Sequence, residues 1–125
     1  MRMLHTRIRV RDLERSVAFY RDVLGLEEAG RSDSPMGNKL AFMKDRDSGY
    51  EIELCYQPHN RPFSFPEDVF HIAFEVQDLM ALGEELKARS IPFTDGPHVS
   101  RTGSALAFID DPDGYEIELL QRAKA

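Results

Sequence analysis

The chain has 125 residues, 42% of them hydrophobic and 30% charged, the length and make-up of about one soluble domain. Its net charge of −6 argues against a nucleic-acid partner, because that binding is driven by cationic neutralisation of phosphates. The single cysteine, Cys55, excludes an intramolecular disulfide and any cysteine-rich zinc pattern, and no run approaches the roughly 18 apolar residues that span a bilayer.

In chain order, "MRMLHTRIRV" carries arginines but no apolar run behind them, so it is not read as a signal peptide, and a cytoplasmic location is expected. Arg2, Arg7, Arg9 and Arg11 are candidates for a local anion pocket. "HTRIRV" alternates, with Leu4, Thr6, Ile8 and Val10 on one face and His5, Arg7 and Arg9 on the other, which predicts a strand. Asp12 is a helix N-cap candidate. Leu13, Val17, Tyr20 and Leu24 follow at helical spacing, and Gly25 supplies the stop. "NKLAFMK" and "YEIELCYQ" predict two further strands with "DRDSG" as the turn between them. "QPHNRPFSFPED" holds three of the seven prolines and reads as a linker, about residues 58–69. Beyond it come a strand "FHIAFEV" and a helix from Asp78 with Leu79, Leu82 and Leu86 on one stripe. A short strand near "IPFT", a loop "GPHVSRTG" and the strands "ALAFID" and "YEIELLQ" complete the chain.

The two halves are copies. His5, Val10, Asp12 and Leu13 align with His71, Val76, Asp78 and Leu79, an offset of 66 residues that persists at "LAF" (40–42 and 106–108). The offset falls to 65 at "GYEIEL" (49–54 and 114–119), so one residue is missing between "MKDRDSG" and "IDDPDG", where a turn is able to absorb it. Two modules of approximately βαβββ are predicted, about 1–57 and 70–122, which makes the chain an α+β protein.

Period-two alternation puts Ile52, Leu54 and Tyr56, and likewise Tyr115, Ile117 and Leu119, on the faces that pack under the helices. Glu51, Glu53, Cys55 and Gln57 lie opposite, as do Glu116, Glu118 and Leu120, and the histidines also point away from the helices. His5 precedes Glu53 by 48 residues, and His71 precedes Glu118 by 47. Two His/Glu pairs meeting about a pseudo-twofold axis would offer two imidazole nitrogens and two carboxylate oxygens, a set suited to Zn²⁺, Ni²⁺, Co²⁺ or Fe²⁺ rather than calcium. Alternation alone does not choose Glu53 over Glu51, or Glu118 over Glu116.

At these residues the sequence resembles glyoxalase I (lactoylglutathione lyase) of the vicinal oxygen chelate superfamily, nearly end to end. The resemblance runs through "LHTRIRVRDLERSVAFYRDVLGL", "HIAFEV" and, most specifically, "AFIDDPDGYEIELL". It implies paired βαβββ modules forming cup-shaped sheets, and metal ligands at His5, Glu53, His71 and Glu118. It further implies a homodimer in which the first module of one chain completes the cup with the second module of the other. The implied reaction converts the hemithioacetal of methylglyoxal and glutathione into S-D-lactoylglutathione, with Glu118 as the base and Glu53 as the second carboxylate. Arg9 matches a glutathione-contacting arginine; Gln57 stands where an asparagine is usual, and Arg101 substitutes for a lysine in the loop after the second helix. Phe70 stands where glycine is common. By the same resemblance the compact length favours nickel or cobalt, with zinc possible, and glutathione is the expected cosubstrate. Cys55 reads as strand filler; His59 and His98 read as surface loop residues without repeat partners. The alternatives on this scaffold are an acyl-thioester epimerase or antibiotic thiol transferase, and a metal-free drug-binding dimer. Glu53 speaks against the epimerase, and the His/Glu set speaks against the drug-binding dimer.

Overall fold

The alternating and helical patterns become the expected elements in a computed structural model that describes residues 1–59 and 62–124. Residues 60 and 61 of the predicted linker thus lie outside the described residues. The chain divides into two units, Met1–Phe63 and Ser64–Ala125. The first contains β1 (His5–Arg9), α1 (Leu13–Asp22), β2 (Glu27–Asp33), β3 (Lys39–Lys44) and β4 (Glu51–Tyr56). The second repeats the plan with β5 (His71–Glu75), α2 (Leu79–Ala88), β6 (Asp95–Val99), β7 (Ala105–Asp110) and β8 (Glu116–Gln121). The sheet orders correspond, β1-β4-β3-β2 and β5-β8-β7-β6, so the α+β architecture of two tandem βαβββ modules stands. In each sheet the first strand runs parallel to the last while the other pairings are antiparallel. A parallel neighbour cannot be joined by a tight hairpin, and the helix and intervening strands supply the crossover.

Apolar faces close each module. In the first, α1 packs on β2, β3 and β4, burying Val17 and Tyr20 in a core with Ile8, Met43, Ile52 and Leu54. In the second, α2 packs on β7 and β8, with Leu79 and Leu86 in a core with Ile109, Ile117 and Leu119. Each fully buried aliphatic side chain contributes about 1.5–3 kcal/mol of transfer free energy. Neither helix is long and apolar enough to cross a membrane.

The helix starts repeat as well. Asp12 accepts a hydrogen bond from the Arg15 N–H and Asp78 from the Ala81 N–H, both at 3.0 Å, satisfying N–H groups left open by the first turn. Gly25, at φ +74°, ends the first helix: its N–H reaches Arg21 O, the bond of an αL C-terminal closure, and the Leu26 N–H reaches further back to Tyr20 O. This closure stops α1 at Asp22, so Leu24 lies in the turn and not on the predicted helical stripe. A second difference is at "IPFT". The strand begins after it, at Asp95, and His98 sits in β6 rather than in a loop. The period-two signal there is interrupted by Gly96 and Pro97, which hid the strand.

The one-residue deletion falls in a hairpin turn. In the first module Asp45 N–H bonds Tyr50 O; in the second Asp111 N–H bonds Tyr115 O, one residue sooner. The Asp111 carboxylate accepts the N–H groups of Asp113 and Tyr115, each at 2.9 Å, and Gly114 takes φ +93°. The most specific stretch of the sequence, "DPDG", is therefore a turn that starts β8 in register.

Because the two caps belong to separate modules, Asp12→Ala and Asp78→Ala should each lower the unfolding free energy by about 1 kcal/mol, with effects that add in the double variant. Urea denaturation measures this, and unchanged midpoints in both single variants would contradict the capping role.

Candidate functional site

Parallel pairing sets the site. Register places Arg7 across from Glu53 and His5 across from Glu51 on β1 and β4; on β5 and β8 it places Ala73 across from Glu118 and His71 across from Glu116. Each histidine nevertheless turns along the sheet to the further glutamate. His5 Nε2 lies 3.0 Å from Glu53 Oε2, and His71 Nε2 lies 2.7 Å from Glu118 Oε2. Of the carboxylates that alternation left open, Glu53 and Glu118 are the ones that meet a histidine.

An aromatic ring two strands away, beyond the glutamate, steadies each imidazole. Phe42 meets His5 edge-on with centroids 5.9 Å apart, and Phe108 meets His71 edge-on at 5.5 Å. Phe42 and Phe108 are the strand partners of Glu53 and Glu118, so each module builds the same three-residue arrangement of His, Glu and Phe. The repeated "LAF" is the sequence signal for these phenylalanines, although as a repeat marker alone it does not say what they touch.

The modules differ in what else touches the carboxylate. Glu53 is 4% exposed, and its second oxygen, Oε1, accepts a hydrogen bond from Arg7 Nε. That bond raises the guanidinium pKa further above its ordinary value, so Arg7 is a fixed cation. A buried carboxylate without such partners would cost several kcal/mol. Among the described residues Glu118 is paired with His71 alone. Alternation placed Arg7 on the histidine face, but nothing in the sequence marked it as the partner of Glu53.

The donor set fits a divalent ion. In each module a nitrogen and an oxygen within 3.0 Å of each other are close enough to become adjacent ligands of an ion held about 2.1 Å from both. Among the described residues, no group of three His, Cys, Asp or Glu side chains is arranged to hold a metal, so the ligand-type residues come as two pairs.

The remaining candidates are placed as follows. Arg9 stacks its guanidinium 4.4 Å over the Phe63 ring, and Arg11 lies 4.1 Å from the same ring while donating to Phe63 O. With Arg7 committed to Glu53, the basic residues of the first strand therefore hold protein groups as well as offering charge. Gln57 is half-buried just past β4, and Arg101 lies in an exposed turn closed by Ser100 and Ser104. Cys55 is a buried free thiol, in keeping with strand filler. His98 pairs with Asp95 at 2.7 Å on the surface, and His59 is exposed in a turn.

Comparison with known proteins places the chain in a family. The family profile described as "Glyoxalase/Bleomycin resistance protein/Dioxygenase superfamily" matches residues 2–119. The lactoylglutathione lyase of Haemophilus influenzae is 38% identical over 126 residues, covering 97% of this chain and 93% of its own. That of Neisseria meningitidis serogroup A is 36% identical over 127 residues, covering 98% and 91%. Among solved structures, the trypanothione-dependent glyoxalase I of Leishmania major superposes with a TM-score of 0.80 at 35% identity, over 97% of this chain and 86% of that one. The chain belongs to the glyoxalase/bleomycin resistance protein/dioxygenase superfamily.

Proposed function

We propose that the chain is a lactoylglutathione lyase, a glyoxalase I that isomerises the methylglyoxal–glutathione hemithioacetal to S-D-lactoylglutathione and so detoxifies methylglyoxal. The observation that carries this reading is the duplicated His–Glu contact, His5 with Glu53 and His71 with Glu118, in a chain whose near-full-length relatives are lactoylglutathione lyases. The four residues would hold one divalent ion, nickel or cobalt ahead of zinc, in a homodimer where a pair from one subunit meets the other pair from its partner. The apolar residues Met3, Leu4, Val69 and Phe70, exposed beside the two histidines, support such a covered interface.

When bound, the ion would polarise two neighbouring substrate oxygens and spread the negative charge that develops on them. Glu118 takes the proton from the carbon beside the carbonyl and returns it to the adjacent carbon, so the reaction is an isomerisation with no outside oxidant. Its side chain, 15% exposed, is shielded enough to hold a proton away from bulk water and open enough to reach substrate. Phe108 packs edge-on against His71, which keeps the imidazole in place beside the base. Arg9, Gln57 and Arg101 are proposed contacts for glutathione, whose two carboxylates suit guanidinium donors. The Leishmania relative is described as trypanothione-dependent, which favours testing a second thiol beside glutathione. A cytoplasmic location completes the reading.

Thioester formation followed at 240 nm, with methylglyoxal and glutathione, should be absent from chelator-treated protein and return with nickel or cobalt more than with zinc. No turnover with any of the three would overturn the assignment. Glu118→Gln should lower kcat by about 10²–10⁴-fold while leaving the dimer intact by size-exclusion chromatography. Wild-type kcat in that variant would remove Glu118 from the proton transfer.

A further inference from the structure

The pseudo-symmetry of the two half-sites fails at one position that faces the reacting carboxylates. The residue across from Glu53 is Arg7; the residue across from Glu118, at the equivalent place in the repeat, is Ala73. Glu53 therefore has both oxygens engaged, Oε2 by His5 and Oε1 by Arg7, and it is almost fully buried. Among the described residues Glu118 has one oxygen engaged, by His71, and it is more exposed. A charge-assisted bond to a planar guanidinium fixes a carboxylate in orientation as well as charge. A methyl group in the same place leaves it free to turn.

We propose that Arg7 is a positioning residue that pins Glu53, so that the two carboxylates of the site have different tasks. Glu53 is held still through Oε1, so that Oε2 is the oxygen that would be left to hold the ion. Glu118, opposite a methyl group, is the carboxylate that moves and carries the proton. The inference rests on the metal-dependent lyase reading above and adds to it the device that chooses between two otherwise equivalent glutamates. The same alanine-for-arginine difference makes the second half-site the one with room for a substrate carbon beside its glutamate.

Cobalt-loaded protein tests this, because the visible spectrum of Co²⁺ reports its ligand set independently of turnover. In Arg7→Ala, the freed Oε1 can also reach the ion, so the spectrum should change in band position and intensity; Arg7→Lys should move it back toward wild type. Ala73→Arg places a guanidinium across from Glu118, so kcat should fall by about 10- to 100-fold with KM and cobalt stoichiometry held within about twofold. A wild-type spectrum in Arg7→Ala, or wild-type kcat in Ala73→Arg, overturns the inference while leaving the lyase assignment in place. Wild-type protein that takes up no cobalt, or whose cobalt spectrum is indifferent to Glu53→Gln, overturns both.

Discussion

A histidine and a glutamate on parallel neighbouring strands, one reaching along the sheet to the other, is the contact on which the functional reading depends. It requires that β1 lie beside β4 and β5 beside β8, an adjacency produced by the helical crossover rather than by any hairpin. It also requires that the carboxylate face away from the helix, since the helix face is filled with Ile52, Leu54, Ile117 and Leu119. Once those aliphatic residues are committed to the core, the glutamates between them have nowhere else to go. The hydrophobic core thus fixes the register, and the register aims the histidines and glutamates.

Duplication supplies geometry twice over, and point differences then distinguish the two halves. His, Glu and Phe recur in both modules with closely similar contacts. Around them the charges diverge. Arg7 is matched by Ala73, and Arg9 by Glu75, which pairs on the surface with Arg122 at 2.9 Å. The first module therefore offers a cationic face with a clamped carboxylate, and the second a less crowded one. On the proposed reading these differences separate a clamped carboxylate from one free to carry a proton, which an unaltered repeat would not do.

Most of the fold was legible because its signals were periodic. The strands around "GYEIEL" and "LAF", the capping aspartates and the glycine stop each carry a local physical reason for their conformation, and the repeat let each half check the other. What escaped was local and non-periodic. β2, "EEAGRSD", is a polar and mostly exposed edge strand, held through Arg31 to Glu14 of α1 and to Glu28, so no apolar alternation announces it. β6 contains Gly-Pro, which breaks the alternation and gives the segment the signals of a loop. At the site, the choice of Glu53 and Glu118 over their neighbours came from family resemblance, because period two treats i and i+2 alike. Arg7 was missed for a related reason. Its importance comes from its partner across the sheet, 46 residues away, and strand register is not written in either strand alone.

Diffraction from nickel-loaded crystals at the nickel absorption edge decides whether the two His–Glu pairs share one ion. One anomalous peak per site is expected, bonded to Nε2 of His5 and His71 and to carboxylate oxygens of Glu53 and Glu118. Nickel bound to one His–Glu pair alone, or to surface histidines such as His59 and His98 with both pairs still closed on themselves, would contradict it.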